Sequence, residues 1–414
     1  MTKGAVDAGG RRLVAGVLLG LLGSVTGCAD TGPDVGPVVR DSAGITIVEN
    51  DATRPRWTSP WTLSEEPELR IGSVEGDPEQ LLFQVTDSHV LPDRRILLAN
   101  SGSAEVRVYD PEGRLLQTLG RRGEGPGEFT APWQAYPMPG DSILVIDLYR
   151  EVAVFDPEGE FARQFDLDLP EGLLGAEGAE PVDQFGDGSL LFRGHYPYQP
   201  GPGGVTRNVV PMLRVPLDGA PAVSLGDFED QTGYSGQPHR DYAHGAWAKE
   251  AAADSTMWYG PGDRMELREV ARDGRLIRIV RLNRAARPIT EADRETFRRD
   301  YAKQMAEFNP RQGEPFWRER ARDVLFPDSF PVHYEIETDP LGNVWVQDYR
   351  SFFSEARMDR EWTVFDAEGA YLGEVTVPGG MEVHDVTEDF VVGKWTDDLG
   401  VEYVHVHRIE KPGG

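Results

Sequence analysis

One unit recurs almost unchanged in the first half of the chain. Val106-Arg107-Val108-Tyr109-Asp110-Pro111-Glu112-Gly113 returns 46 residues later as Val152-Ala153-Val154-Phe155-Asp156-Pro157-Glu158-Gly159. In each copy an alternating run of β-branched and aromatic residues enters Asp-Pro-Glu-Gly, and a second alternating run leaves it. Pro presets φ at the second turn position and Gly takes the left-handed one, so each copy predicts a β-hairpin. Between the copies, Gly120-Arg121-Arg122-Gly123-Glu124-Gly125-Pro126-Gly127-Glu128-Phe129 leads to another short run, Ile143-Leu144-Val145-Ile146-Asp147. A period of this length made of short strands predicts an all-β protein, each period being one small antiparallel sheet of a β-propeller.

The chain ends supply the closure. A shift of 48 residues lays Gly72, Pro78 and Leu81 on Gly120, Pro126 and Phe129, so Leu69-Arg70-Ile71 matches the outermost strand of a sheet that lacks its inner strands. Residues 382–386, 390–394 and 403–407 read as three strands with no fourth. Joining the two ends closes a ring and removes its exposed edges. Second strands are expected at 96–100, 143–147, 190–194, 256–260, 343–348 and 390–395, with hairpin turns at Gly113, Gly159, Gly219, Gly274 and Gly369. The fold expected is therefore a six-bladed β-propeller closed by an N-terminal strand joining the C-terminal blade.

The Gly-x-Gly-Pro-Gly-x-Phe stretch, followed by Ile-Leu-Val-Ile-Asp and Val-Phe-Asp-Pro-Glu-Gly, resembles NHL repeats and related bacterial six-bladed propeller lipoproteins, best over residues 72–160. The resemblance implies an architecture and leaves the activity open. One segment departs from the β pattern. Thr290-Glu291-Ala292-Asp293 reads as a capped helix start, followed by Phe297, Tyr301 and Phe308 at helical spacing, and a second helix is expected over 314–325. This predicts a helical pair, about residues 288–326, inserted in a propeller that spans 44–410.

Lys3, Arg11 and Arg12 precede an apolar run over 13–22, and small residues follow up to Val25-Thr26-Gly27-Cys28. That order predicts a secretory signal over residues 1–27, with an apolar core too short to span a bilayer comfortably. A cysteine at this position resembles the lipobox of bacterial lipoproteins. It implies that Cys28 carries a diacylglyceryl thioether and tethers the protein to the membrane through a flexible segment, 28–43. Ala29, where an Asp would stand for retention, implies the outer membrane. Cys28 is the only cysteine, so a disulfide framework and a thiolate metal cluster are both excluded. A formal net charge of −28 repels phosphate backbones and argues against a nucleic-acid partner.

Strand direction alternates within a blade, so loops joining second to third strands share a face with those joining one blade to the next. The long segments 195–207, 226–250, 284–330 and 348–360 all sort to that face, whereas the opposite face holds minimal turns. Candidate binding residues on the loop-rich rim are Tyr149, Arg150, His195, Tyr198, His239, Tyr242, Trp247, Tyr349 and Arg350. Aromatic rings and guanidinium groups suit a small molecule, a carbohydrate or a protein ligand, and equally suit plain packing of the insertions. Three histidines on first strands, His89, His333 and His384, are candidate zinc ligands in the central channel, where similar peptide-amidating lyase propellers use histidines. Asp147, Asp263 and Asp348 are candidate calcium ligands at its mouth, as in gluconolactonase-like propellers. No nucleophile elbow, phosphate loop or zinc-protease motif is present. The leading expectation is a lipid-anchored envelope propeller that binds a ligand on its loop-rich face, with no catalysis and no cofactor. The alternative is a metal-dependent lyase or lactonase using the channel.

Overall fold

A computed structural model describes residues 36–147, 151–167, 169–170, 179–195, 203–236, 240–351 and 357–412. Cys28, Tyr149, Arg150, Tyr198 and His239 lie outside them. Among the described residues the strands fall into six sheets, four of which follow chain order throughout from the inside outward, while the fourth and sixth are completed by N-terminal strands. The innermost strands are Val85–Val90, Pro132–Pro137, Glu180–Gln184, Lys249–Ala252, His333–Thr338 and Met381–Val386, and neighbouring ones pack side by side around a central axis. The result is a six-bladed β-propeller.

Closure occurs where the repeat alignment expects it. In the last sheet the outer strand is Leu69–Ile71, antiparallel to Glu402–Glu410, with Ile71 opposite Val404 and Leu69 opposite Val406. Ile71 is fully buried among Val85, Ile96, Tyr109 and Val404, so one side chain belongs to the core between the last blade and the first. The hairpin glycines Gly113, Gly159, Gly219, Gly274 and Gly369 all have φ between +79° and +86°, the left-handed position that their turns demand. Gly120 serves differently. A Cβ there would stand 2.2 Å from the ring of Phe129, which is buried against Phe155.

Two features lie beyond the expectation. Val38–Ser42, inside the segment read as a tether, forms a hairpin with Ile45–Asn50, and the latter adds in parallel to the outer strand Leu276–Leu282 of the fourth sheet. Ile47 and Val48, buried on opposite faces of this strand, give the segment apolar surface to bury. The chain then crosses the fifth sheet, where Arg56 and Trp57 donate backbone N–H groups to Tyr371 O and Leu372 O, before it reaches the sixth. Residues 38–71 thus strap three blades. The second difference concerns the helical pair. Helix α1 (Glu291–Phe308) has the expected Thr290 cap, a reciprocal box with Asp293. Helix α2 spans only Gly313–Arg320 and tightens to a 3₁₀ turn at Ala321–Asp323, because Leu325 is drawn into backbone pairing with Asp241. Phe308, expected on the packed face, is 72 % exposed. The insertion is tied at its neck, Ile289 N–H donating to Asp328 O and Phe330 N–H to Arg287 O. No helix among the described residues is long and apolar enough to cross a membrane.

Candidate functional site

Three elements build a cavity on the loop-rich face. The outer hairpin of the third sheet, Gly204–Val215 with Val223–Ser235, runs past the blade as a two-stranded ribbon, so much of the expected loops 195–207 and 226–250 is strand. The chain then folds back along that ribbon. Thr232 N–H donates to Ala246 O at 2.8 Å, and a Cβ on Gly245 would lie 2.1 Å from Thr232 O. On its other side this returning segment is held by the insertion, with Leu325 N–H donating to Asp241 O and Ala243 N–H to Leu325 O.

Ribbon, returning segment and insertion enclose a cavity of about 600 Å³. Its wall is aromatic, with Tyr234, Tyr242, Trp247, Phe297, Tyr301, Tyr334 and Tyr349, and it also carries amide and hydroxyl groups from Asn208, Gln231 and Thr206. His244 sits among these rings with φ +55°, a left-handed backbone that a non-glycine residue keeps only when its surroundings over-determine it. Its Nδ1 lies 2.7 Å from Tyr349 Oη, and its ring packs 4.8 Å from Phe330 and 5.0 Å from Phe297. Two wall residues stay open to solvent: Trp247 is 49 % and Tyr334 48 % exposed.

The central channel opens beside this cavity as a second space of about 530 Å³. In five of the six sheets the pairing of first with second strand slips by one residue, leaving Thr86, Trp133, Val182, Tyr334 and His384 as the extra residues. All five line the channel, as expected of bulges that re-aim a side chain. The channel is polar. His89 Nε2 lies 3.1 Å from Asp87 Oδ2 and Nδ1 3.5 Å from Asp385 Oδ2. Burial opposes its charge, but these two carboxylates hold His89 well above its usual pKa. Asp183 accepts hydrogen bonds from the backbone N–H groups of Gln184 and Ala252, yet burial pushes it up to about 7. Burial, together with Asp183, also raises Glu337 well above the carboxylate range.

The predicted residues divide between the two spaces. Tyr242, Trp247 and Tyr349 meet in the aromatic cavity, whereas Arg350 lines the channel. His195 stands apart, 3.8 Å from Glu180. The three histidines do not converge. His89 and His384 line the channel, but His333 is buried with Nε2 accepting from Gly262 N–H at 2.9 Å. Burial pushes its pKa down to about 4, so it is neutral with the proton on Nδ1. The calcium candidates are equally dispersed. Asp147 caps the N–H groups of Thr130 and Ala131, Asp263 pairs with Arg207, and Asp348 pairs with Arg284. Neither set fits a metal, and no group of three or more potential ligands stands ready among the described residues. Sequence reading did not single out Asn208, Gln231, Phe297 or Tyr334, nor the channel carboxylates. The helical spacing of Phe297 and Tyr301 on α1 is the one available signal, and it marks a packed face as readily as a cavity wall.

No family model matches the sequence. An uncharacterized protein of Lactococcus lactis subsp. lactis is 34 % identical over 128 residues, covering 28 % of this chain and 37 % of the relative. The chain thus spans little more than a third of that relative's length. Among solved structures, a member of the DUF4221 family from Bacteroides vulgatus is similar at a TM-score of 0.50 and 12 % identity, over 84 % of this chain and 97 % of the other. A gluconolactonase from Xanthomonas campestris reaches a TM-score of 0.40 at 13 % identity, over 86 % and 99 %. The first bears on the fold alone, and the second is too distant to support an argument.

Asp183 gives the channel a pH signature. Its folded pKa of about 7 lies above its ordinary value of 3.8, so the folded state keeps a proton that the unfolded chain releases. The corresponding stability is complete below about pH 4 and is lost as pH rises through 7. Discounted for solvent reaching the channel, the loss is on the order of 2 kcal/mol. Thermal melts of the wild type and Asp183→Asn from pH 4.5 to 8.5 check this. The melting temperature of the wild type is expected to fall relative to the variant across that range, and a constant difference contradicts the assignment.

Proposed function

We propose that this chain is a lipid-anchored β-propeller of the bacterial cell envelope that binds a small amphipathic ligand of the saccharide class in its aromatic cavity. The observation that carries the reading is the wall of that cavity. Trp247 and Tyr334 present half-exposed rings, and amides from Asn208 and Gln231 lie in the same wall. Flat apolar rings take the C–H face of a sugar while amides and hydroxyls take its oxygens. The strained His244 and its contact with Tyr349 support a wall set in place before the ligand arrives. Anchoring rests on the basic start, apolar core and Cys28 of the leader, and the NHL-like character on the repeat at 106–159.

A second reading, acid–base chemistry in the channel, is favoured by one observation: Asp183 and Glu337 are held as acids near the charged His89. It keeps the location expected of a lyase or lactonase and loses the metal ligands.

A thermal-shift screen of mono- and disaccharides tests the binding reading. A binder is expected to raise the melting temperature of the wild type, and Trp247→Ala to weaken its affinity roughly tenfold or more. Tyr349→Phe, which removes the hydroxyl that meets His244, is expected to cost a few-fold. Equal responses in wild type and Trp247→Ala contradict the reading. Cys28→Ser is expected to move the protein from the membrane to the soluble fraction, and retention in the membrane fraction contradicts the lipid anchor.

A further inference from the structure

We propose that the aromatic cavity is one end of a groove that takes a linear, uncharged or amino-bearing oligosaccharide across the loop-rich face and over the mouth of the channel. This rests on the reading of the cavity as a saccharide site and adds the length and charge class of the ligand.

Three cavities of about 600, 530 and 410 Å³ lie in series. The first and second share Tyr334, and the second and third share Thr86 and Trp133. These joining residues are bulge positions of first strands, two residues from the strand start or nearer, which places them at the loop-rich end of the channel. A bulge turns its extra side chain out of the ladder, so the device that interrupts pairing also lays rings along the groove. Tyr334 is 48 % and Trp133 39 % exposed, and Trp247 in the first cavity is 49 % exposed. Tyr334 belongs to the fifth blade and Trp133 to the second, across the axis from it. A chain crossing the axis lies against both.

The charge and hydrogen-bonding pattern selects among chains. The middle section sets Asp87, Glu250, Glu335 and Glu382 against His89, Lys249, Arg350 and Arg360, with Asp183 and Glu337 held as neutral acids, so it offers no excess of cations in a protein of net charge −28. Acidic glycans and nucleic acids are therefore repelled. A peptide bound by strand addition needs a continuous strand edge for its backbone groups, and the bulges interrupt five of the six edges that face the channel. Gln134 and Gln347 also line the middle section, and side-chain amides offer ring hydroxyls both donors and acceptors.

Calorimetric titration with neutral β-linked glucose and N-acetylglucosamine oligomers, from the disaccharide to about eight units, tests the groove. Affinity is expected to rise roughly tenfold or more with length and then level off. Trp133→Ala is expected to remove that gain while leaving disaccharide affinity unchanged, Trp133→Phe to restore most of it, and Trp247→Ala to weaken every length. Affinities that do not change with length, with Trp133→Ala silent, overturn the groove and leave the aromatic-cavity reading standing. No binding at any length overturns both.

Discussion

The pairing of Leu69–Ile71 with Glu402–Glu410 is the contact on which the rest of the molecule depends. A propeller sheet is too small to stand alone, since each blade buries its faces only against its two neighbours. Six blades in an open arc would leave two apolar faces and two edges in water. Here the arc is shut by residues more than three hundred positions apart, and Ile71 is the side chain that makes both sides of the joint one core. The strap of residues 38–63 reinforces the closure from outside. Asn50, bridging the fourth sheet to Gly369 O and Tyr371 N–H in the fifth, shows how. Trp57 and Trp61 stack at 4.6 Å, and together with Trp345 and Trp362 they fill the junction between fifth and sixth sheets.

Closure fixes the inner radius, and the inner radius sets what the channel must contain. First strands tied into a ring leave polar edges facing one another across a narrow space. The protein meets this with side chains that reach from one blade to the next. Asp87 accepts from Ala135 N–H, Gln134 donates to Val182 O, Asp183 accepts from Ala252 N–H, Lys249 pairs with Glu335, and Asp385 accepts from Val90 N–H. This collar spans five of the six junctions and satisfies backbone groups at four of them. The accompanying cost is a set of carboxyl groups in poor solvation, which is why Asp183 and Glu337 hold their protons. A polar, accessible channel is thus a consequence of closing six short sheets, and the loop-rich face inherits its opening.

Much of this was legible in the sequence, for identifiable reasons. Turn glycines at 113, 159, 219, 274 and 369 carry positive φ because only that geometry lets the outer hairpins turn, so a turn motif reveals itself without any alignment. Thr290 and Asp293 announce α1 through local hydrogen bonds. The site was less legible. Which side chains line the channel depends on a one-residue slip at Thr86, Trp133, Val182, Tyr334 and His384, and nothing in the local composition marks a bulge. The aromatic cavity needed three segments, near residues 206–247, 297–324 and 331–349, to meet, which no periodicity records. His333 shows the limit most plainly. It sits on the expected strand, but Gly262 N–H claims its ring. The β-branched run Ile45-Thr46-Ile47-Val48 is a strand signal in its own right, while its parallel partner, Leu276–Leu282, is fixed by the strap's path and not by those residues.

The closure itself is open to a direct covalent test. Arg70 and His405 face each other across the joint. In a Cys28→Ser background, Arg70→Cys combined with His405→Cys should oxidise to an intramolecular disulfide, found by mass spectrometry of a monomer that keeps its β-sheet signal. Either single substitution should give none. If the pair yields only intermolecular dimers, or free thiols under oxidation that leaves the protein folded, the two ends do not meet. The ring, its channel and the one-sided placement of the loops would then fall together.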